Sequence, residues 1–300
     1  MTIERELPDT ERAPPELANL RIVPRNGRYR WIPIAIVIVL ALMLLDGVVF
    51  NPRFEWGVVG SYLFTPTILQ GLATTVWLTA LCMSLGVLLG IVIAVMRMSP
   101  SRIVSGFARL YIWFFRGTPI LVQLIFWYNL AALFPNLGLG IPFGPTLIEF
   151  RTNDIITPLA AAILGLALNE GAYMAEIVRA GISSVDEGQD EAARALGMPR
   201  LKSMRRIVLP QAMRFIIPPT GNETIGMLKM TSLVSVIALS DLLYSAQAIY
   251  SRTFETIPLL LVCCCWYLVL TSLLSVVQAR IEAYYGRGAT PVGTNQGDRT

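Results

Sequence analysis

Histidine is absent from all 300 residues. That excludes His-based triads, His metal ligands and imidazole proton relays. Cysteine is scarce: Cys82 and the run Cys263, Cys264 and Cys265 all lie in apolar stretches. Three consecutive cysteines on one helix point about 100° apart and cannot converge on a metal. They read as small packing residues, and no disulfide framework is visible. No GxxxxGK(S/T) phosphate loop occurs, so ATP hydrolysis by this chain is not expected. Nor does any paired-carboxylate or nucleophile–base arrangement stand out. Charge is thin as well, at 15% of residues against the roughly 25% of soluble domains. A net charge of +4 is weak ground for nucleic acid binding.

What the chain has in excess is apolar sequence. Hydrophobic residues make up 54% and the mean hydropathy is +0.59, which a polytopic membrane protein explains. Residues 1–31 hold prolines, arginines and acidic residues with no sustained apolar period, and read as a flexible cytosolic tail. Ile32 to Phe50 is long enough for one transmembrane helix; the segment before it is too long for a signal n-region, so the span is retained. Asn51 to Pro66 is a short polar link. Thr67 to Met96 is the second span, with Gly86 and Gly90 as a small-xxx-small pair that lets another helix approach. The third begins at about Ile103 or Thr118 and ends at Phe134, with Pro119 predicting a kink or break. Pro135 to Thr157 is an outer loop. Further spans are expected at Pro158 to Arg179, Pro219 to Ser240 and Ile257 to Ala279, and the tail 284–300 reads as disordered. The fold expected is therefore all-α: a membrane bundle of six transmembrane helices.

Placing both termini inside puts 21 of the 24 Lys and Arg residues on or near the cytosolic side, leaving Arg53, Arg151 and Arg252 outside. The positive-inside rule supports that topology.

One polar, Arg-rich stretch interrupts the spans: Glu191 to Pro210, EAARALGMPRLKSMRRIVLP. Strong helix formers lead to Gly197, which suits the left-handed conformation that ends a helix. Pro199 fits the first turn of a second helix, in which Leu201, Met204, Ile207 and Val208 share one face and Lys202, Arg205 and Arg206 the other. From composition alone, a basic loop lying on anionic headgroups is favoured.

The pattern Glu191-Ala192-Ala193, Gly197, Ile207, Leu209-Pro210 resembles the cytoplasmic signature of ABC importer permease subunits. Its flanks match too, on Gly171-Ala172-Tyr173-Met174-Ala175-Glu176-Ile177, Phe115-Arg116-Gly117-Thr118-Pro119 and Thr231-Ser232-Leu233-Val234-Ser235. These are similar to the polar amino acid uptake subfamily, over roughly residues 67–283. The resemblance implies a five-helix permease core at 67–283, to which the N-terminal helix and outer link at 32–66 are an addition, and a coupling loop at 182–215 that docks on a separate ATPase subunit. In that loop it points to Glu191, Ala192, Ala193, Gly197, Ile207, Leu209 and Pro210, while Arg205 and Arg206 could pair either with acidic residues of the ATPase or with anionic lipid. It also implies two ATPase copies carrying ATP and Mg, a second permease chain (identical or homologous) and an extracytoplasmic amino acid binding protein. No cofactor is expected on this chain, nor nucleic acid. The location implied is the bacterial inner membrane.

Ionisable residues inside spans are costly and mark candidate substrate paths. Glu170 and Lys229 both fall near the expected midplane. Either Glu170, with Asn169, faces a central cavity and meets a positive group of the substrate, or Glu170 and Lys229 form a buried ion pair. Tyr173, Thr231 and Ser232 complete the path candidates, although Thr231, Ser232 and Ser235 could simply bond backbone carbonyls. Met230 departs from the polar or acidic residue the resemblance leads one to expect, which puts transfer of substrate specificity in doubt. The rival reading is a stand-alone amino acid transporter driven by an ion gradient. Against it stand the lack of an internal repeat and the few intramembrane carboxylates.

Overall fold

The computed structural model describes residues 31–140 and 146–285, so the expected terminal tails lie almost wholly outside the described residues. Two compact units meet in the sequence between Phe54 and Glu55. The first contains α1 (Trp31–Phe50), whose 20 residues include none that is buried, and a 3-10 turn at Pro52–Phe54. Its Ile and Leu side chains, with Val37, Val39 and Val49, are exposed, the pattern of a helix solvated by hydrocarbon.

The second unit begins with α2 (Trp56–Tyr62), a helix where the sequence suggests only a polar link. Val59 explains it: the side chain is buried among Ile68, Leu259 and Val262. Then follow α3 (Pro66–Arg97), α4 (Arg102–Gly117), α5 (Ile120–Tyr128) and the single turn α6 (Leu130–Leu133). The outer loop is not featureless. An antiparallel hairpin of β1 (Asn136–Gly140) and β2 (Thr146–Arg151) occupies it, followed by α7 (Thr152–Ile155). The chain continues through α8 (Pro158–Ser183), α9 (Glu187–Ala195), α10 (Arg200–Ser203) and α11 (Leu209–Met230). After a 3-10 stretch at Thr231–Ile237 come α12 (Leu242–Thr253) and α13 (Thr256–Tyr285). Among the described residues four helices are long and apolar enough to span a bilayer, or six if each of two bent pairs counts as one span.

The bundle is built on α3 against α8, its most extensive helix pairing. Burying Leu against protein gains little over Leu in lipid, so packing must come from close backbone approach. Gly86 and Gly90 provide it: a Cβ at Gly86 would stand 2.5 Å from Glu170 Cγ, and one at Gly90 2.5 Å from Met174 Cβ. The small-residue pair in the sequence is thus a helix crossing.

The third span is broken as Pro119 predicts, and sharply: α4 and α5 meet at 100°. The fifth span differs more from expectation. Its helix does not begin at Pro219 but runs on from α10 without interruption, through a π turn at Met204–Val208, with Pro218 and Pro219 inside α11. It ends at Ala238, which takes φ 57°. The unexpected α12 follows because the Asp241 carboxylate caps it, accepting from Leu243 N at 3.2 Å and Tyr244 N at 2.8 Å.

Candidate functional site

The helix-Gly-helix stretch folds as two short helices held at a fixed angle. Asp186 caps α9, accepting from Gly188 N at 2.7 Å. At the other end Gly197 N–H donates to Arg194 O at 2.9 Å and Met198 N–H to Ala193 O at 3.0 Å, a complete Schellman motif with Gly197 at φ 75°. A brace then joins the helices. The Asp190 carboxylate pairs with Arg194 one turn on and accepts from the buried Ser203 hydroxyl of α10 at 2.7 Å. Hydrogen bonds from Arg194 and Ser203 hold the Asp190 carboxyl below its ordinary range. The Asp190–Arg194 spacing of four was readable as a helix pair; its reach across to Ser203 was not.

Ala193 is buried as the foot of this knob, whereas Glu191 and Ala192 are exposed. Arg205 and Arg206 are exposed and make no ion pair among the described residues. Ile207 is half-buried, while Leu209 and Pro210 are exposed. Leu201 does not share a buried face with Val208: it is 81% exposed, and Leu196 is 82% exposed. The π turn accounts for this. Leu209 N–H reaches back five residues to Met204 O, so the wider turn breaks the 3.6-residue register that would have aligned Leu201 with Val208. Pro210, which has no N–H to donate, follows directly. Leu196 and Leu201, on either side of Gly197 in the sequence, are both left bare, a feature the helical periodicity did not single out.

Half-way along the bundle, the break between α4 and α5 leaves the last carbonyls of α4 without helical partners. At membrane depth these must be satisfied by protein. Asn169 Nδ2–H donates to Phe115 O at 2.7 Å. Gln123 Nε2–H donates to Phe115 O at 3.0 Å, Thr118 O at 3.1 Å and Thr118 Oγ1 at 2.7 Å. Tyr111 Oη–H donates to Leu168 O at 2.6 Å. Asn169, a path candidate, is thus engaged in holding the break, and Gln123 is its partner in that role.

Glu170, at the middle of the 26-residue α8, is 2% exposed and lies against Gly86. Its Oε1 has no hydrogen-bond partner among the described residues. The ion pair with Lys229 does not form: no Glu170–Lys229 contact occurs within salt-bridge distance, and Lys229 is exposed. Lys229 instead lines a cleft of about 410 Å³ with Ser232, Cys264, Tyr267, Leu268 and Thr271. Thr231 Oγ1–H donates to Leu228 O and Ser232 Oγ–H to Lys229 O, both at 2.7 Å, the backbone bonding expected of hydroxyls in spans. Glu176 pairs with Arg179 at 2.7 Å near the knob end of α8.

Tyr173 is half-buried, with the Arg116 guanidinium carbon 5.0 Å from its ring centroid. This separates Arg116 from the cytosolic basic patch to which sequence counting assigned it. Arg116 is at the far end of the 16-residue α4 from Arg102, about 20 Å away at 1.5 Å per residue. Glu223 of α11 lies within electrostatic reach of Arg116 and of Glu170. The exposed Arg116 of α4 thus meets Tyr173 of α8, a contact the separate sequence segments did not show. Among the described residues no group of His, Cys, Asp or Glu could hold a metal.

Comparison with known proteins fits this geometry. The family described as binding-protein-dependent transport system inner membrane component matches residues 86–285. The chain is 47% identical to the arginine transport system permease protein of Corynebacterium glutamicum, over 87% of this chain and 81% of that protein. It is 37% identical to the nopaline transport system permease protein of Agrobacterium fabrum, over 70% of this chain and 84% of that protein. The solved structure of an amino acid ABC transporter with histidines superposes with a TM-score of 0.62 at 39% identity, over 74% of this chain and 95% of that chain. The stand-alone, gradient-driven alternative is not supported by any of these likenesses. A bundle broken at mid-depth, with a braced helix-Gly-helix knob at one end, belongs to the family of inner membrane components of binding-protein-dependent transport systems, the permease subunits of ABC importers.

Proposed function

We propose that this chain carries a polar amino acid through the inner membrane as one half of a two-permease path. It works with two copies of an ATPase subunit, which bind ATP and Mg, and with an extracytoplasmic protein that delivers the substrate. Both termini and the knob face the cytosol, and residues 67–283 form the working core. The observation that carries this reading is the knob: two short helices fixed by the Gly197 Schellman motif and the Asp190–Ser203 bond, with Leu196 and Leu201 left bare. An apolar pair held rigidly in water is costly unless a partner covers it. Glu191, Arg205 and Arg206 around it supply the charged rim of such a contact.

The amino acid substrate follows from the relatives, whose names specify arginine and nopaline transport. Of the path candidates, Tyr173 presents an accessible ring, and Lys229 with Ser232 lines an open cleft.

The test is purification of the tagged chain from its native membrane in mild detergent, with ATPase and uptake assays. The native chain retains an ATPase subunit. Leu196→Ser with Leu201→Ser inserts normally but loses it, and Gly197→Val keeps insertion while uncoupling ATP hydrolysis from uptake. Retention of the ATPase by the leucine variant together with coupled uptake by Gly197→Val would refute the knob as the coupling element.

A further inference from the structure

Between Glu55 and Glu149 the chain carries Arg97, Arg102, Arg109 and Arg116 and no Asp or Glu at all. The last three of these arginines lie in α4, at intervals of seven. Seven residues fall about 20° short of two helical turns, so the three form one ridge along the helix. On one side of that ridge Ser105, Ala108, Ile112 and Phe115 are buried. On the other Ile103, Phe107, Leu110 and Phe114 are exposed, Ile103 at 85%. The protein thus covers one face of α4 and leaves cations and bare hydrocarbon side by side on the rest.

The neighbours of α4 fix its depth. Gly86 meets Glu170 and Gly90 meets Met174, so α3 and α8 run parallel, and Arg97 at the end of α3 lies at the knob end of the bundle. The Ser105 hydroxyl donates to Arg97 O at 3.1 Å, whereas Phe115 O accepts from Asn169 at the middle of α8. The helix therefore climbs from the knob-end surface to mid-depth. At its top Arg116 is held on the Tyr173 ring. Arg102 and Arg109, about 10 Å apart along the axis, occupy the lower part. Side chains there slant toward the helix N-terminus, and long cationic ones extend to the headgroups. Both arginines are exposed, and no carboxylate comes within 4.0 Å of either among the described residues.

We propose that Arg102 and Arg109 bind the headgroup phosphates of anionic phospholipids in the leaflet at the knob end, with the acyl chains of those lipids along Ile103, Phe107, Leu110 and Phe114. A guanidinium fork fits a phosphate bidentately, and anionic headgroups attract a cation near the surface. The apolar stripe selects lipid over a water-filled path: four large bare side chains beside the arginines match the hydrocarbon just below a headgroup. The counter-charge has to come from outside the chain, because α3 and α4 hold no acid and Glu176 of α8 is taken by Arg179. α4 is then tied to lipid at one end and to α8 at the other. Nothing in this depends on which solute the chain carries.

The permease–ATPase complex is reconstituted in phosphatidylcholine nanodiscs doped with photoactivatable phosphatidylglycerol or, in parallel, photoactivatable phosphatidylcholine, each with its diazirine near the headgroup. Peptide mass spectrometry maps the labelled residues. Residues 98–110 of the native chain take up phosphatidylglycerol at least about fivefold more than phosphatidylcholine, the worth of roughly one cation near the surface. The preference disappears in R102Q/R109Q and stays in R102K/R109K. In the native complex it collapses when NaCl is raised from about 0.05 M to about 0.5 M, which keeps the test decisive if the glutamine variant fails to assemble. Equal labelling by the two lipids on the native chain overturns the proposal. So does a preference that survives the glutamine pair or, where that variant does not assemble, survives the salt. Protection of α4 from both lipids overturns it too, since another protein chain would then cover the ridge.

Discussion

Gly86 and Glu170 touch across the α3–α8 crossing so closely that a Cβ on Gly86 would stand 2.5 Å from Glu170 Cγ. Gly86→Ala must push the helices apart or displace the Glu170 side chain, at about 1–3 kcal/mol. Gly106, in α4, meets nothing within 4 Å, and Gly106→Ala should instead gain up to about 1 kcal/mol from the lower backbone entropy of the unfolded chain. Thermal unfolding in detergent compares them. Equal melting of Gly86→Ala and native protein would refute the tight crossing.

The two Nε2 hydrogens of Gln123 serve three acceptors at the break after α4. Gln123→Leu leaves the Thr118 carbonyl short of a donor and should cost about 1–3 kcal/mol. The partial redundancy at Phe115 O with Asn169 makes the double variant with Asn169→Leu worse than the sum of the single changes. Additive costs in that cycle would show that the two amides act independently.

Lys229 is exposed and has no carboxylate partner among the described residues. Lys229→Met should change the stability of the chain by no more than about 0.5 kcal/mol, and assembly should persist. Failure of this variant to accumulate in the membrane would revive the ion pair with Glu170 as a structural requirement.

The Asp190 brace has a definite pH response. Its carboxyl is held below the ordinary range by Arg194 and Ser203, so the stability it lends is fully present above the unfolded value of about 3.9. That stability is lost only as pH falls through the lower folded value. A spin label at Met198 should therefore keep the same mobility from pH 7 to pH 5 and loosen only in stronger acid. Asp190→Asn should show the loosened spectrum already at neutral pH. A native knob that loosens between pH 7 and pH 5 would place the controlling group elsewhere.

Much of this was legible in the sequence because its signals are local. Gly197 with Pro199 marks a helix end and a helix start within three residues, and Pro119 marks the break in the third span. Apolar runs give spans because lipid demands length and hydrophobicity and little else. What stayed hidden depends on contacts between distant segments. Arg116 counts as one more cytosolic arginine until α4 is packed against α8 and the side chain reaches Tyr173. Glu170 and Lys229 look like partners by depth, but depth says nothing of the direction a side chain takes around its helix. Leu201 fits an amphipathic face at 3.6 residues per turn, and a single π turn, invisible to any fixed period, removes it from that face.

That π turn has a mechanical consequence. Because α10 runs into α11 without a break, the knob and the span it feeds are one shaft from Arg200 to Met230, about 45 Å long at 1.5 Å per residue. A tilt of about 5° about one end would move the other by about 4 Å over that length, comparable to the width of a side chain. Motion imposed at the knob would thus be carried along one continuous helix, through the Pro218–Pro219 pair where it can bend, until the left-handed turn at Ala238 lets the rest of the chain stay behind.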